Sequence, residues 1–269
     1  MNPLYLRREA LAFLQEAKNR TEDDAPRLVL ADWLEDHGDA DRAAFLRRQC
    51  RLAPGIGPLL TPAERTELLE RADRLVARHG GSWLGPLWLQ GYTAGDWHRG
   101  LLSARPNRHA KPEDLADVLP WVDAVCLEVT GCEAFARAVG LVNAGPFNHV
   151  AFLLRQPFRE DLILDNLAEV QASSALRNLT IRWPPRLARH DSDTGKKAVL
   201  ALGEAFVARL LELPVARHLT HFGSGLALPA GHAALLWAAG IEPVAPCPCN
   251  WTHHLPAACF QARHERVAI

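Results

Sequence analysis

Lysine is scarce in this chain: only Lys18, Lys111, Lys196 and Lys197 stand among 30 basic residues. Arginine supplies the rest, which reads as a coding preference and not as a functional signal. Neither sign of charge dominates. A net charge of −1 over 269 residues gives no general pull toward nucleic acid or an anionic membrane. No apolar run approaches the length of a membrane span. A secretory leader is not expected, because Arg7, Arg8 and Glu9 interrupt the first apolar stretch. Reaction motifs are also missing. There is no Gly-x-Ser-x-Gly elbow to present an acyl-transfer nucleophile. Gly223-Ser224-Gly225 lacks the lysine and the spacing of a phosphate loop. The aspartates from Asp23 to Asp41 do not align as a calcium loop, and Glu35, Asp36 and His37 read as a helix end, not as an acid–base set. No motif calls for a cofactor.

Six cysteines (Cys50, Cys126, Cys132, Cys247, Cys249 and Cys259) are spread along the chain. Without a leader they are expected as free thiols in a reducing cytosol, which makes the expected location cytoplasmic. The hydrophobic fraction of 48% and charged fraction of 23% are those of a globular protein. The length suffices for one large or two modest domains.

The first 80 residues read as helices. Asn2-Pro3 before Leu4, Leu11 and Leu14 suggests a capped amphipathic helix. From Asp23 to Leu52 two short helices are joined by a tight turn. Asp24 is the expected cap of the first, Pro26 suits its first turn, and Leu30, Trp33 and Leu34 form its apolar stripe. His37 and Gly38 close it. Asp39 caps the second, whose buried face is Ala43, Phe45, Leu46 and Cys50. Thr61-Pro62-Ala63-Glu64 combines a capping box with proline in the first turn, and Leu68, Leu69, Leu75 and Val76 come after it at helical spacing. Trp83, Trp88 and Trp97 lie in a stretch rich in glycine and proline and are expected to pack at the junction between these helices and the rest of the chain.

The run from Asp24 to Asp39, APRLVLADWLEDHG between them, resembles the repeat-companion domain, a short N-terminal module of planctomycete-type bacteria. Ala44-Phe45-Leu46-Arg47-Arg48-Gln49, the stretch His79 to Leu87, and Trp97-His98-Arg99-Gly100-Leu101 fit the same pattern. The resemblance covers roughly the first 100 residues. It implies that degenerate leucine-rich repeats come next in the chain. The family carries no known enzymatic activity, so no catalytic residue transfers and the chain is expected not to be an enzyme.

Beyond Pro120 the pattern changes. Val122–Val129, Asn148–Leu154, Leu176–Trp183 and Arg217–Phe222 read as strands, with Leu127, Phe152, Ile181 and His221 in similar places, 25, 29 and 40 residues apart. Helical stretches lie between them at Glu133–Asn143, Asp161–Gln171 and Lys197–Leu213. The first two separations lie in or near the period of leucine-rich repeats, about 20–29 residues. An ordinary α/β domain with strand–helix alternation competes with that reading. The expected fold is α/β: an all-helical N-terminal module (1–80), a Trp/Gly/Pro-rich junction (81–120), a degenerate leucine-rich-repeat-like solenoid (121–240) and an irregular C-terminal cap (241–269).

Such an architecture presents a surface, and the expected function is a non-catalytic scaffold subunit that binds a protein partner on the strand face. Glu128, Arg155, Thr180 and Arg182 are the expected contact residues. Arg186 and Arg189 join them from a basic insertion, Arg182 to Lys197, of the kind that often lies on a binding face. No membrane contact is expected. The same insertion offers a second reading, a regulatory subunit touching nucleic acid, directly or within a larger complex. A third rests on Cys247, Cys249, His253 and Cys259. Thiolates and imidazole suit zinc, which would make a zinc-stabilised subunit or a hydrolase. Against it, one residue alone separates Cys247 from Cys249, and the competing reading is cysteines filling core gaps in a C-terminal cap. Trp33 and Trp237 are expected to be buried.

Overall fold

The structure, a computed structural model, describes residues 6–21, 23–53, 60–85, 87, 97–104, 118–156, 158–171, 176–182, 204–225, 228 and 230–244. The chain is a mixed α/β protein that divides into two compact units. The first holds the described residues up to 104 and those from 118 to 123, and the second begins at Ala124.

Four helices form most of the first unit. Helix α1 (Arg8–Asn19) buries Ala10, Leu14, Ala17 and Lys18. Helix α2 (Ala25–Asp36) buries Leu30, Ala31 and Leu34, with Pro26 in its first turn. The expected cap, Asp24, is not the one used: Asp23 Oδ1 accepts the Ala25 N–H at 2.9 Å. Asp24 instead places its carboxylate 3.3 Å from the buried Arg99 guanidinium, because a buried guanidinium needs an opposite charge nearby more than an N-terminal N–H, which Asp23 can serve, needs a second carboxylate. Gly38, at φ +88°, ends α2 and lets the Asp39 N–H donate to Leu34 O at 2.8 Å. Asp39 then caps α3 (Ala40–Leu52), accepting the Arg42 N–H at 3.1 Å. Ala43, Phe45, Leu46 and Cys50 are buried on α3, as the apolar spacing implies.

Helix α4 (Pro62–Leu84) opens with the expected capping box: Thr61 Oγ1 accepts the Glu64 N–H at 3.3 Å, and the Glu64 carboxylate accepts the Thr61 N–H at 2.8 Å. It carries Trp83 into the core. Trp97 arrives from a short antiparallel pair, β1 (Trp97–His98) and β2 (Leu101–Ala104). Their turn uses Arg99 at φ +47° and Gly100 at φ +81°. Glycine is needed at 100 twice over, since a Cβ there would lie 2.1 Å from Leu46 Cδ2. Trp121 comes from a 3-10 turn, Leu119–Trp121.

These aromatics enclose a charge. Arg42 is 1% exposed, and its guanidinium lies 4.4 Å from the Trp121 ring, 4.6 Å from Trp83, 4.9 Å from Trp97 and 5.9 Å from Phe45. Ring faces attract cations, and the attraction grows when water is excluded. Phe45 and Trp97 meet edge to face at 5.0 Å.

The second unit alternates strands and helices. Strands β3 (Val122–Val129, whose first two residues count with the first unit), β4 (His149–Leu154), β5 (Asn178–Arg182), β6 (His221–Ser224) and β7 (Glu242–Val244) pair in parallel, each with its neighbour in sequence. Helices α5 (Cys132–Ala144), α6 (Glu160–Ala168), α7 (Glu204–Glu212) and α8 (Ala230–Ala238) lie between them, each touching the next. Leu127, Phe152 and Ile181 share one row across the sheet, as their spacing implies. His221 does not join them. Residues Pro214–His218 form a 3-10 turn, so β6 starts at His221, which pairs with Asn178 while Ser224 takes the place beside Ile181. Trp237 also departs from expectation: it sits on α8 but is 58% exposed, because Leu236 takes the inward position. Trp33 is half-buried.

Replacing Arg42 with Ala should empty the aromatic cage and cost at least about 2 kcal/mol, with red-shifted tryptophan emission. Arg42→Lys should fall between, since a point charge cannot stack as a planar group does. Urea unfolding followed by fluorescence measures both.

Candidate functional site

Alternation along paired strands gives the sheet two chemically different faces. One carries Val125, Leu127 and Val129 of β3, Val150, Phe152 and Leu154 of β4, Leu179 and Ile181 of β5 and Phe222 of β6, all at most 4% exposed. Phe135 of α5 packs on Phe152 with ring centres 5.1 Å apart, so this face meets the helices. The opposite face is small and polar. Its middle row is Cys126, Ala151, Thr180, Gly223 and Val244. Gly223 makes room for its neighbour: a Cβ there would lie 2.8 Å from Thr180 Oγ1.

Two further rows flank the middle one. On one side stand Glu128, Leu153 and Arg182, aligned by strand register. Arg155, just past β4, forms an ion pair with Glu128. The expected contact residues Glu128, Thr180 and Arg182 therefore share one face, half-buried, and Arg155 closes on it through Glu128. On the other side stand Ala124, His149, Asn178, His221 and Glu242. His221 Nε2 lies 3.2 Å from the Glu242 carboxylate, and its Nδ1 is 2.8 Å from Thr220 Oγ1. Asn178 is 7% exposed, yet among the described residues its Oδ1 meets no hydrogen-bond donor. An unmet buried acceptor costs about 1–3 kcal/mol, and a partner's N–H would relieve it. Each of β4 to β7 begins with a polar residue, the one trace of this row visible without register.

Other expected site residues lie elsewhere. Arg186 and Arg189, and the set Cys247, Cys249, His253 and Cys259, fall outside the described residues. Among the described residues no three His, Cys, Asp or Glu side chains gather closely enough to hold a metal. Cys50, Cys126 and Cys132 form no disulfide among the described residues. Cys132 begins helix α5 and holds no strand position. Among the described residues no helix is long and apolar enough to cross a membrane.

Comparison of the chain with family models, with curated proteins and with solved structures finds no match. The chemistry of the faces and clusters is therefore what bears on function.

A second group, missed by sequence reasoning, is buried in the first unit. Lys18 is 1% exposed and donates to Val122 O at 2.7 Å. Arg27 donates to Asp23 O at 2.8 Å, and Arg99 donates to Thr21 O at 2.8 Å. Asp24 and Asp123 are the buried carboxylates nearby. Burial pushes the Lys18 ammonium down to about 7, against the opposing pull of Asp123. Burial, reinforced by Asp24, pushes the Cys50 thiol up to about 12. These groups are enclosed and tie separate chain segments of the first unit together.

The Lys18 shift has a sign that can be tested. Its folded value lies below the 10.5 of a free lysine, so above pH 7 the unfolded chain holds a proton that the folded chain has lost. Stability should rise with pH from 7 to 9, with a slope approaching about 1.4 kcal/mol per pH unit. Above pH 9 Cys50 acts in the opposite direction, because its folded value is raised, and the curve should flatten. Lys18→Met should abolish the rising limb in urea unfolding curves across that range.

Proposed function

We propose that this chain is a non-catalytic scaffold subunit that binds a protein partner on the small, polar face of its parallel sheet. On this reading residues 1–80 are a repeat-companion module, and the strand–helix units beyond it are degenerate leucine-rich repeats forming a solenoid. The observation that carries the reading is the contrast between the two sheet faces. One is apolar and meets helices. The other is lined by Cys126, Ala151, Thr180 and Gly223 and edged by hydrogen-bonding side chains. Cys126, Ala151 and Gly223 are themselves buried, so contact would fall to the more accessible polar side chains around them, Glu128, His149, Thr180, Arg182, His221 and Glu242, which set a partner's register.

Two features support it further. Glu128 and Glu242 balance Arg155 and Arg182, so the face suits a protein surface better than a polyanion. Among the described residues no donor meets Asn178 Oδ1, which leaves an acceptor to offer. Pairing of each strand with its sequence neighbour favours the solenoid reading. A standard interface of about 1,600 Å² in total is within reach of five strands.

Glu242→Arg should reverse a charge at the exposed edge of this face without disturbing the apolar face. A tagged wild-type protein purified gently from its native host should carry a stoichiometric protein partner, and Glu242→Arg should weaken or lose it while keeping nearly the same melting temperature. Partner retention by the variant would place the contact elsewhere. A lone protein carrying stoichiometric zinc would move the function to Cys247, Cys249, His253 and Cys259. Nucleic acid released by salt would move it to the Arg182–Lys197 insertion.

A further inference from the structure

We infer that the outer side of helix α2 is a second docking surface, fitted to a basic amphipathic segment of another protein. Successive residues turn by 100° on a helix, so Glu35, Leu28, Asp32, Asp36, Val29 and Trp33 succeed one another around one side of α2. The opposite side, Arg27, Leu30, Ala31 and Leu34, is buried. Leu28 is 40% exposed and Val29 47%. Trp33 stands one turn beyond Val29, its ring stacked on His37 at 4.1 Å. Apolar and acidic residues thus share one continuous strip, apolar toward the start of the helix and acidic toward its end.

The acidic end runs against helix physics. The C-terminus of a helix carries partial negative charge and favours cations nearby. Here Asp32, Glu35 and Asp36 crowd that end, and α2 has no basic residue in its last turn. A single guanidinium from α3 compensates: Arg47 Nη2 is 2.6 Å from both Asp32 and Glu35. Those carboxylates stay accessible, at 69% and 53% of the side chain, and Asp36 is exposed. Residues that weaken their own helix and remain in water are poorly explained by stability and well explained by a cationic partner.

Charge also selects among occupants. A second copy would set Asp32, Glu35 and Asp36 against their own like. Nucleic acid and anionic lipid are repelled for the same reason. A segment with apolar side chains to cover Leu28 and Val29, and arginines or lysines to meet the carboxylates, satisfies both halves of the strip.

The test uses the full chain and two synthetic helical peptides. Both carry leucines along one side; one flanks them with arginines and its twin with glutamates. The arginine peptide should bind and shift α2 amide resonances, and the twin should not. Val29→Ser and Asp36→Lys should each weaken binding by about tenfold or more. Asp36→Lys should at the same time raise the melting temperature, since it now agrees with the helix dipole, which separates lost binding from lost structure. Equal binding of the twins, or unchanged binding by both variants, would overturn the inference. So would concentration-dependent self-association abolished by Val29→Ser, which would make a second copy the occupant.

Discussion

The first unit depends on one cation held among aromatic rings. Arg42 projects from α3 into a space bounded by Trp83 of α4, Trp97 of β1, Trp121 of the 3-10 turn and Phe45 of its own helix. Elements far apart in sequence are therefore tied by a single side chain. A leucine there would fill part of the volume but supply no charge for the ring faces, and a lysine would supply charge without a plane to stack. The neighbouring cluster of Lys18, Arg27 and Arg99 works on another principle, ending backbone carbonyls at Val122, Asp23 and Thr21. Buried cations thus replace what a larger apolar core would otherwise do, and most are arginine, the weakly hydrated choice.

Much of this was legible from residue order where the determining contacts are local. The capping box at Thr61 and Glu64, the Asp39 cap and the Gly38 terminator each depend on residues at most five apart, and each is present. Strand β3 matches its apolar run end to end. Sequence fails where a distant partner decides. Asp24 looks like a cap until Arg99, remote in the chain, claims its carboxylate. Arg42 looks like a surface residue of an amphipathic helix until three tryptophans surround it. The start of β6 escapes a periodicity reading because a short 3-10 turn has no period to announce it.

The binding face illustrates the same divide. Glu128, Thr180 and Arg182 could be named from alternation alone, since polar residues among apolar ones in a strand point away from the core. The row of His149, Asn178, His221 and Glu242 could not, because membership requires the register between strands, and register is a property of pairs. Likewise the acidic strip of α2 reads in sequence as helix caps and an acidic face. Only burial on the opposite side, together with exposure of Leu28 and Val29, sets it apart.

Pairing of β3 to β7 in sequence order also governs how the chain acquires its structure. Each strand needs only the one synthesised before it, so the loops closed at each step are short and their entropic cost is modest. Folding of the second unit can therefore keep pace with the ribosome, strand by strand, without waiting for a distant C-terminal segment. The first unit has no such freedom. Its keystone is set on α3, but the ring of Trp121 that closes over it emerges long afterwards. The order of emergence thus inverts the usual expectation: the helical unit, rich in local contacts, must wait for a residue beyond its own helices.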